Sequence, residues 1–199
     1  MSSFTTHDRA AKSRNYRLGR RAELQEATRR RIVEAAVDLH CTIGPARTTV
    51  SQIAERAGVQ RHTYYAHFPE ERSLFLACSA LALERGPLPE VQQLGSIQAG
   101  RERVRRGLEL FYGWFDQNAA HAACVLRDAG HHALTREMVE LRLAPTFDQA
   151  QAIMAEGLSE RARALLAVAL DFGSWKRLSE TCSVANAAAL MSDAIAGLA

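Results

Sequence analysis

The chain has 199 residues, 47% of them apolar, and a formal net charge of +3, enough to bury a full core in one or two domains. No apolar run is long enough to span a bilayer, the N-terminus lacks the apolar segment of a signal peptide, and Cys41, Cys78, Cys124 and Cys182 lie far apart without a Cys-x-x-Cys; membrane insertion is thereby excluded, and a cytoplasmic protein with reduced cysteines is expected. The charge is uneven, with 12 Lys and Arg against 6 Asp and Glu in residues 1–68 and a net acidic remainder, which favours a polyanion as partner of the first third.

Residues 1–20 are polar and carry Arg9, Lys12, Arg14, Arg17 and Arg20, which predicts a disordered basic arm. A first helix is expected over residues 21–43. Ile32, Ala35, Ala36, Leu39 and Ile43 make its core stripe, and Gly44-Pro45 ends it. Thr49 with Gln52 three residues on is a capping box that opens a second, short helix. Val50, Ile53, Ala54 and Ala57 form its apolar stripe, and Gly58 supplies its left-handed end. A third helix follows within two or three residues. Tyr64 and Phe68 are its inward pair, which leaves Arg61, His62, Thr63, Tyr65 and His67 on the outer face. Small Ala54, turning Gly58 and apolar Tyr64 keep the spacing of a helix-turn-helix, and donors on the outer face suit a DNA major groove. The fourth helix is expected over 69–84, with Pro69 and two acids in its first turn, and Gly86-Pro87-Leu88-Pro89 breaks it.

Beyond a loop to Gly95, apolar residues recur at helical spacing. Helices are expected over residues 96–118, 120–127 and 135–156, then from Ser159 to near Leu178, and finally over 184–198 with Thr181 or Ser183 as cap. No strand-like alternation occurs, so the fold class is all-α. The expected organisation is a basic arm (1–20), a helix-turn-helix DNA-binding domain (21–68), a connecting fourth helix (69–85) and a helical effector-binding and dimerisation domain (86–199). The last two helices are rich in alanine and carry more apolar face than one internal partner needs, which suits a four-helix bundle shared with a second copy.

Thr48-Thr49, Ile53-Ala54, Ala57-Gly58-Val59, Thr63, Tyr65, Phe68 and Leu74 together resemble the DNA-binding domain of the tetracycline-repressor (TetR) family of bacterial transcriptional regulators, over roughly residues 25–80. The resemblance implies a homodimer formed by the two C-terminal helices, and a C-terminal pocket whose small-molecule effector moves the fourth helix. Two positions depart from the family pattern. Pro69-Glu70-Glu71 stands where a phosphate-binding lysine is common, and His62 where a small residue is usual.

A two-fold dimer would read a palindromic operator in double-stranded DNA. By their place in the resemblance, the residues expected on DNA are Gln60, Arg61, His62, Thr63 and Tyr65, the last four at bases or in the groove, with Thr48, Thr49, Ser51, Tyr65 and His67 at phosphates. Arg61, whose fork matches two acceptors of guanine, is the expected base reader. For a small-molecule effector, Phe111, Trp114, Phe115, His121, Phe147 and Trp175 offer aromatic walls, though each also suits ordinary core. Other readings are a metal- or redox-responsive regulator, through His121-x-x-Cys124 with His131 and His132 or through Cys124 or Cys182, and an effector-independent DNA-binding dimer. No cofactor or resident metal is expected. The chain has no phosphate-binding Gly-rich loop, no Gly-x-Ser-x-Gly and no His-Glu-x-x-His, so no enzymatic function is expected.

Overall fold

A computed structural model describes the backbone of residues 5–198 and the side chains of residues 19–198. Its helices, in chain order, are α1 (Thr5–Thr42), α2 (Val50–Ala57), α3 (Arg61–His67), α4 (Glu71–Arg85), α5 (Arg101–Ala129), α6 (Ala133–Arg142), α7 (Ala144–Met154), α8 (Glu160–Ala169), α9 (Phe172–Leu178) and α10 (Val184–Ala196). No strand occurs among the described residues.

The arm expected over residues 1–20 is helical from Thr5 onward, within α1; residues 1–4 lie outside the described residues. The segment holds one glycine, no proline and several good helix formers. Extending a helix already nucleated further along costs far less than starting one. From Gly19 to Ala27 every residue is exposed, so this part of α1 projects beyond the core.

Two cores form. In the N-terminal one, Ile32, Val33, Ala36 and Val37 of α1 meet Ile53 and Ala57 of α2, Tyr64 of α3, Phe68, and Leu74 and Cys78 of α4. The C-terminal core is built round α5, whose Val104, Leu108, Phe111, Tyr112 and Phe115 are fully buried against Met154, Leu166, Trp175 and Ile195. The Tyr112 hydroxyl donates to the Ala169 carbonyl at 2.9 Å, which satisfies the one polar group of that buried ring. Gly107 lets α7 approach α5 closely, because a Cβ there would run into Met154.

Three helix boundaries differ from the sequence expectation, each for a local reason. The expected break near Asn118 is a kink inside continuous α5: Asn118 leaves helical geometry (φ −115°, ψ 16°) while its Nδ2 donates to the Trp114 carbonyl at 2.8 Å. The single helix expected over 135–156 is divided at Leu143, because Pro145 in the first turn of α7 cannot donate to the preceding turn. The helix expected to run on to Leu178 stops at Ala169, and Asp171 restarts the chain as α9 by accepting the Ser174 N–H at 3.0 Å. Ser183, not Thr181, caps α10, accepting from the Asn186 N–H.

Candidate functional site

The helix-turn-helix is assembled by caps and a small apolar stripe. Thr49 accepts the Gln52 N–H at 3.3 Å, while the Gln52 carboxamide oxygen accepts the Thr49 N–H at 2.8 Å and its hydroxyl at 2.9 Å. Gly58, at φ 65°, closes α2, and the Val59 N–H returns to the Ala54 carbonyl at 2.9 Å. Ile53, Ala54 and Ala57 are buried, and so are Tyr64 and Phe68, which hold α3 by their edges. Arg29 of α1 stacks over the Phe68 ring at 4.8 Å, a cation–π contact that fixes α3 against the long helix. Replacing Thr49 with alanine is expected to cost about 1 kcal/mol of stability, measurable by urea unfolding, since the Gln52 N–H then loses its acceptor and the Gln52 carboxamide one of its donors.

What remains on the outside of α3 is polar. Gln60, Arg61, His62 and Tyr65 are exposed, whereas Thr63 and His67 are half-buried. At the start of α2, Thr49 and Ser51 are exposed, but the Thr48 hydroxyl donates to the Gly44 carbonyl at 2.8 Å. Of the nine residues expected on DNA, Thr49, Ser51, Gln60, Arg61, His62 and Tyr65 are exposed and Thr48, Thr63 and His67 half-buried, with Tyr65 46% exposed.

A cavity of about 300 Å³ lies where α1, α4, α5 and α6 meet, between the two cores. Its wall is mainly apolar and includes Val37, Phe75, Leu83, Val125, Leu126 and Met138. Of the residues expected to bind an effector, Trp114 and His121 line it. The others do not. Phe111, Phe115 and Trp175 are buried in the C-terminal core, where Phe147 packs on Phe111 at 4.5 Å between ring centroids and Trp175 on Phe115 at 5.5 Å. Aromatic faces engaged with one another leave no wall for a ligand. Trp114 differs because its Nε1 donates to the Gly86 carbonyl at 3.1 Å, which swings the indole toward the end of α4.

Residues the sequence did not single out complete the cavity: His40, Cys41, Asn118, Thr135, Arg85 and Arg142. Burial pushes the His40 imidazole down to about 4, assisted by the neighbouring His121 and His132. His121 is also lowered by burial, and its Nδ1 lies in a 3.0 Å hydrogen bond with Cys41 Sγ. Burial, followed by the charge of Asp38, raises the Cys41 thiol, so it is the neutral form that fills the site. Cys124 points its thiol at the Cys41 carbonyl, 3.5 Å away, and His132 caps α6 by accepting the Thr135 N–H. Among the described residues no three His, Cys, Asp or Glu side chains are placed to hold a metal ion.

Comparison with known proteins bears on the helix-turn-helix first. Residues 32–78 match the family model described as bacterial regulatory proteins, tetR family. Residues 32–78 are thus similar to the helix-turn-helix segment of that family. Over 78 residues it is 30% identical to the HTH-type transcriptional regulator EthR of Mycolicibacterium smegmatis, a match spanning 39% of this chain and 36% of EthR. Two solved structures carry the likeness into the C-terminal helices. A proposed fatty acid metabolism regulator from Clostridium perfringens superposes with a TM-score of 0.61 at 19% identity, covering 85% of this chain and 98% of that one. A proposed transcriptional regulator from Saccharomonospora viridis, in complex with choline, gives 0.50 at 23% identity, covering 85% and 96%. At these identities the structures establish the fold.

The two cores are latched together at the end of α5. Asp128, 1% exposed at the end of α5, accepts the Ala46 N–H at 2.9 Å and the Arg127 Nε–H at 2.8 Å, and Arg127 Nη2 donates to the Ile43 carbonyl at 3.2 Å. The residues so held are the turn just ahead of the Thr49 cap. Asp38 makes a separate bridge within the N-terminal core, accepting from Arg56 of α2 at 3.3 Å and pairing with Arg85 of α4 at 3.6 Å. Both of its pairs are half-exposed and contribute little. The Pro69-Glu70-Glu71 departure is seen as an exposed start to α4, where Ser73 Oγ donates to the Glu70 carbonyl at 2.6 Å.

Proposed function

We propose that the chain is a homodimeric DNA-binding transcriptional regulator, a repressor released from a palindromic operator when a small molecule fills the cavity between its domains. The observation that carries this reading is the outer face of α3: Arg61, His62 and Tyr65 stand exposed on a helix whose inner face is locked by Tyr64 and Phe68. A rigid short helix with a guanidinium, an imidazole and a phenol outward fits a major groove, where one well-placed arginine distinguishes guanine by about 1–3 kcal/mol. Thr48, Thr49, Ser51 and His67 flank that face and suit phosphate oxygens.

Dimerisation through α8 and α10 is supported by apolar side chains left outside. Val168 of α8 and Leu190 of α10 are 53% and 52% exposed, and Ala164, Ala167, Ala185 and Ala194 are exposed on the same two helices. Small residues there let helices of a second copy approach closely. An effector is supported by the cavity itself, by its position between the latch and α4, and by the choline held by the Saccharomonospora viridis neighbour.

Selection of bound sequences from random DNA tests the reading: recovery of an inverted repeat is expected, and enrichment of nothing over scrambled competitor would sink it. On the selected operator, Arg61→Ala should lose affinity mainly through one base pair, by about 1–3 kcal/mol, while His67→Ala weakens all single-base variants alike. An equal loss across every variant for Arg61→Ala would remove it as the base reader.

A further inference from the structure

The cavity has a charge character that names the class of its occupant. No aspartate or glutamate lines it, whereas two arginines do, Arg85 and Arg142. Arg85 is turned to Asp38. Arg142, at the end of α6, has a buried Nε with no hydrogen-bond partner; it is the one such side-chain nitrogen or oxygen among the described residues. A buried guanidinium N–H without an acceptor is costly, and the usual partner for its planar fork is a carboxylate. The other polar groups on the wall include His40 and His121, which burial keeps neutral, and the amides of Gln117 and Asn118. A cation placed here would meet arginine and no carboxylate. An uncharged ligand could satisfy Arg142 only through a neutral acceptor such as a carbonyl or hydroxyl oxygen, a weaker partner than an ionised one.

We infer that the cavity binds a small amphipathic monocarboxylate, its carboxylate on the Arg142 guanidinium and its apolar body against Leu83, Trp114, Val125 and Met138. The inference builds on the proposed effector role of this cavity, but it concerns binding alone and is tested without DNA. The volume of about 300 Å³ suits a short fatty acid or an arylalkanoic acid and is too small for a large conjugate such as an acyl-nucleotide. Arg142 is the last residue of α6, whose C-cap is Leu143, and it lines the cavity.

The test is isothermal titration and thermal shift on the full chain with octanoate and 3-phenylpropanoate, each beside its matched primary amide and amine, and with choline as the cationic control. The acids are expected to bind at least ten-fold more tightly than the amides, and the amines and choline not at all. Arg142→Met should abolish that preference while its circular dichroism spectrum stays unchanged, and Arg142→Lys should restore part of it. Equal binding of amide or amine by the wild-type protein would overturn the inference even if every Arg142 variant failed to fold. So would an undiminished acid preference in Arg142→Met, or the absence of any acid binding at millimolar concentration. Operator release is read in a separate assay. Acid binding without DNA binding would leave this inference standing and defeat the regulatory reading, and the converse result would do the reverse.

Discussion

Replacing Asp128 with alanine is expected to destabilise the chain by about 2–4 kcal/mol and to loosen the turn that carries the helix-turn-helix. The carboxylate is buried, yet it has three sources of compensation: the Ala46 N–H, the Arg127 guanidinium and the more distant His131 imidazole at 4.0 Å. Desolvation alone would raise its pKa, but these partners outweigh it and hold the carboxyl below its usual value. The contribution of the latch is therefore present above the unfolded carboxylate pKa and is lost only as the pH falls through the lower, folded value. Asp128→Asn keeps an oxygen for the Ala46 N–H but gives up the charge opposite Arg127, so a smaller loss is expected. Gly44→Ala attacks the same contact from the other side. Gly44 sits at φ 95°, and a Cβ would collide with the Arg127 and Asp128 side chains. Urea unfolding of the three variants checks the ranking, with Asp128→Ala the most damaging of the Asp128 pair. Amide exchange at residues 44–50 should quicken in each. A stability within 0.5 kcal/mol of wild type for Asp128→Ala, the ordinary range of a surface substitution, would show the latch to be ornamental.

The helix-turn-helix was legible because its determinants are local. The Thr49–Gln52 box, the left-handed Gly58 and the Tyr64–Phe68 pair each act within four residues, and the structure places each as read. The C-terminal domain was legible in class and not in detail. Pro145 and Asp171, both of which carry explicit helix-start chemistry, divide segments that read as continuous apolar stripes, because the stripe runs on through each break. The cavity was the least legible part. Aromatic residues at helical spacing drew attention to Phe111, Phe115 and Trp175, but those rings bury one another. The actual lining comes from four helices far apart in sequence, and no periodicity within one helix marks which residues face an unfilled space. Arg142 stands out only once its lack of a partner is seen in three dimensions.

The kink at Asn118 gives the two halves of the molecule a common element. Asn118, His121, Val125 and Leu126 line the cavity, and two residues further on Asp128 grips the turn before α2. A ligand that shifts this last segment of α5 moves the latch with it, with no need for the C-terminal core around Tyr112 and Trp175 to repack. A coupling of about 1–3 kcal/mol between the sites would change operator affinity roughly 5–150-fold, which is within what one charged latch can transmit.

Acidification from pH 6.5 to 4 is expected to remove about 3 kcal/mol of stability through His40 alone, over a window that opens above the carboxylate range. The imidazole is 4% exposed, tilted against Phe75 at 5.4 Å between ring centroids, and held down to about 4. Burial is the main cause, His121 and His132 add to it once they are charged, and Asp128 opposes it. The sign follows from proton counting. Between the two values the unfolded chain binds a proton that the folded chain refuses, so stability rises with pH across that window and falls as the solution is made acid. This is opposite to a histidine that gains an anionic partner on folding. His121, lowered by burial as well, pushes in the same direction. Substituting His40 with methionine, an apolar residue able to fill the same space, should flatten the dependence of urea-derived stability on pH between 6.5 and 4.5 by up to one proton. The imidazole resonances of wild-type protein should show one histidine still neutral at pH 5. A His40 that titrates near its ordinary value, or a methionine variant as acid-sensitive as wild type, would place the acid-labile element elsewhere in the fold.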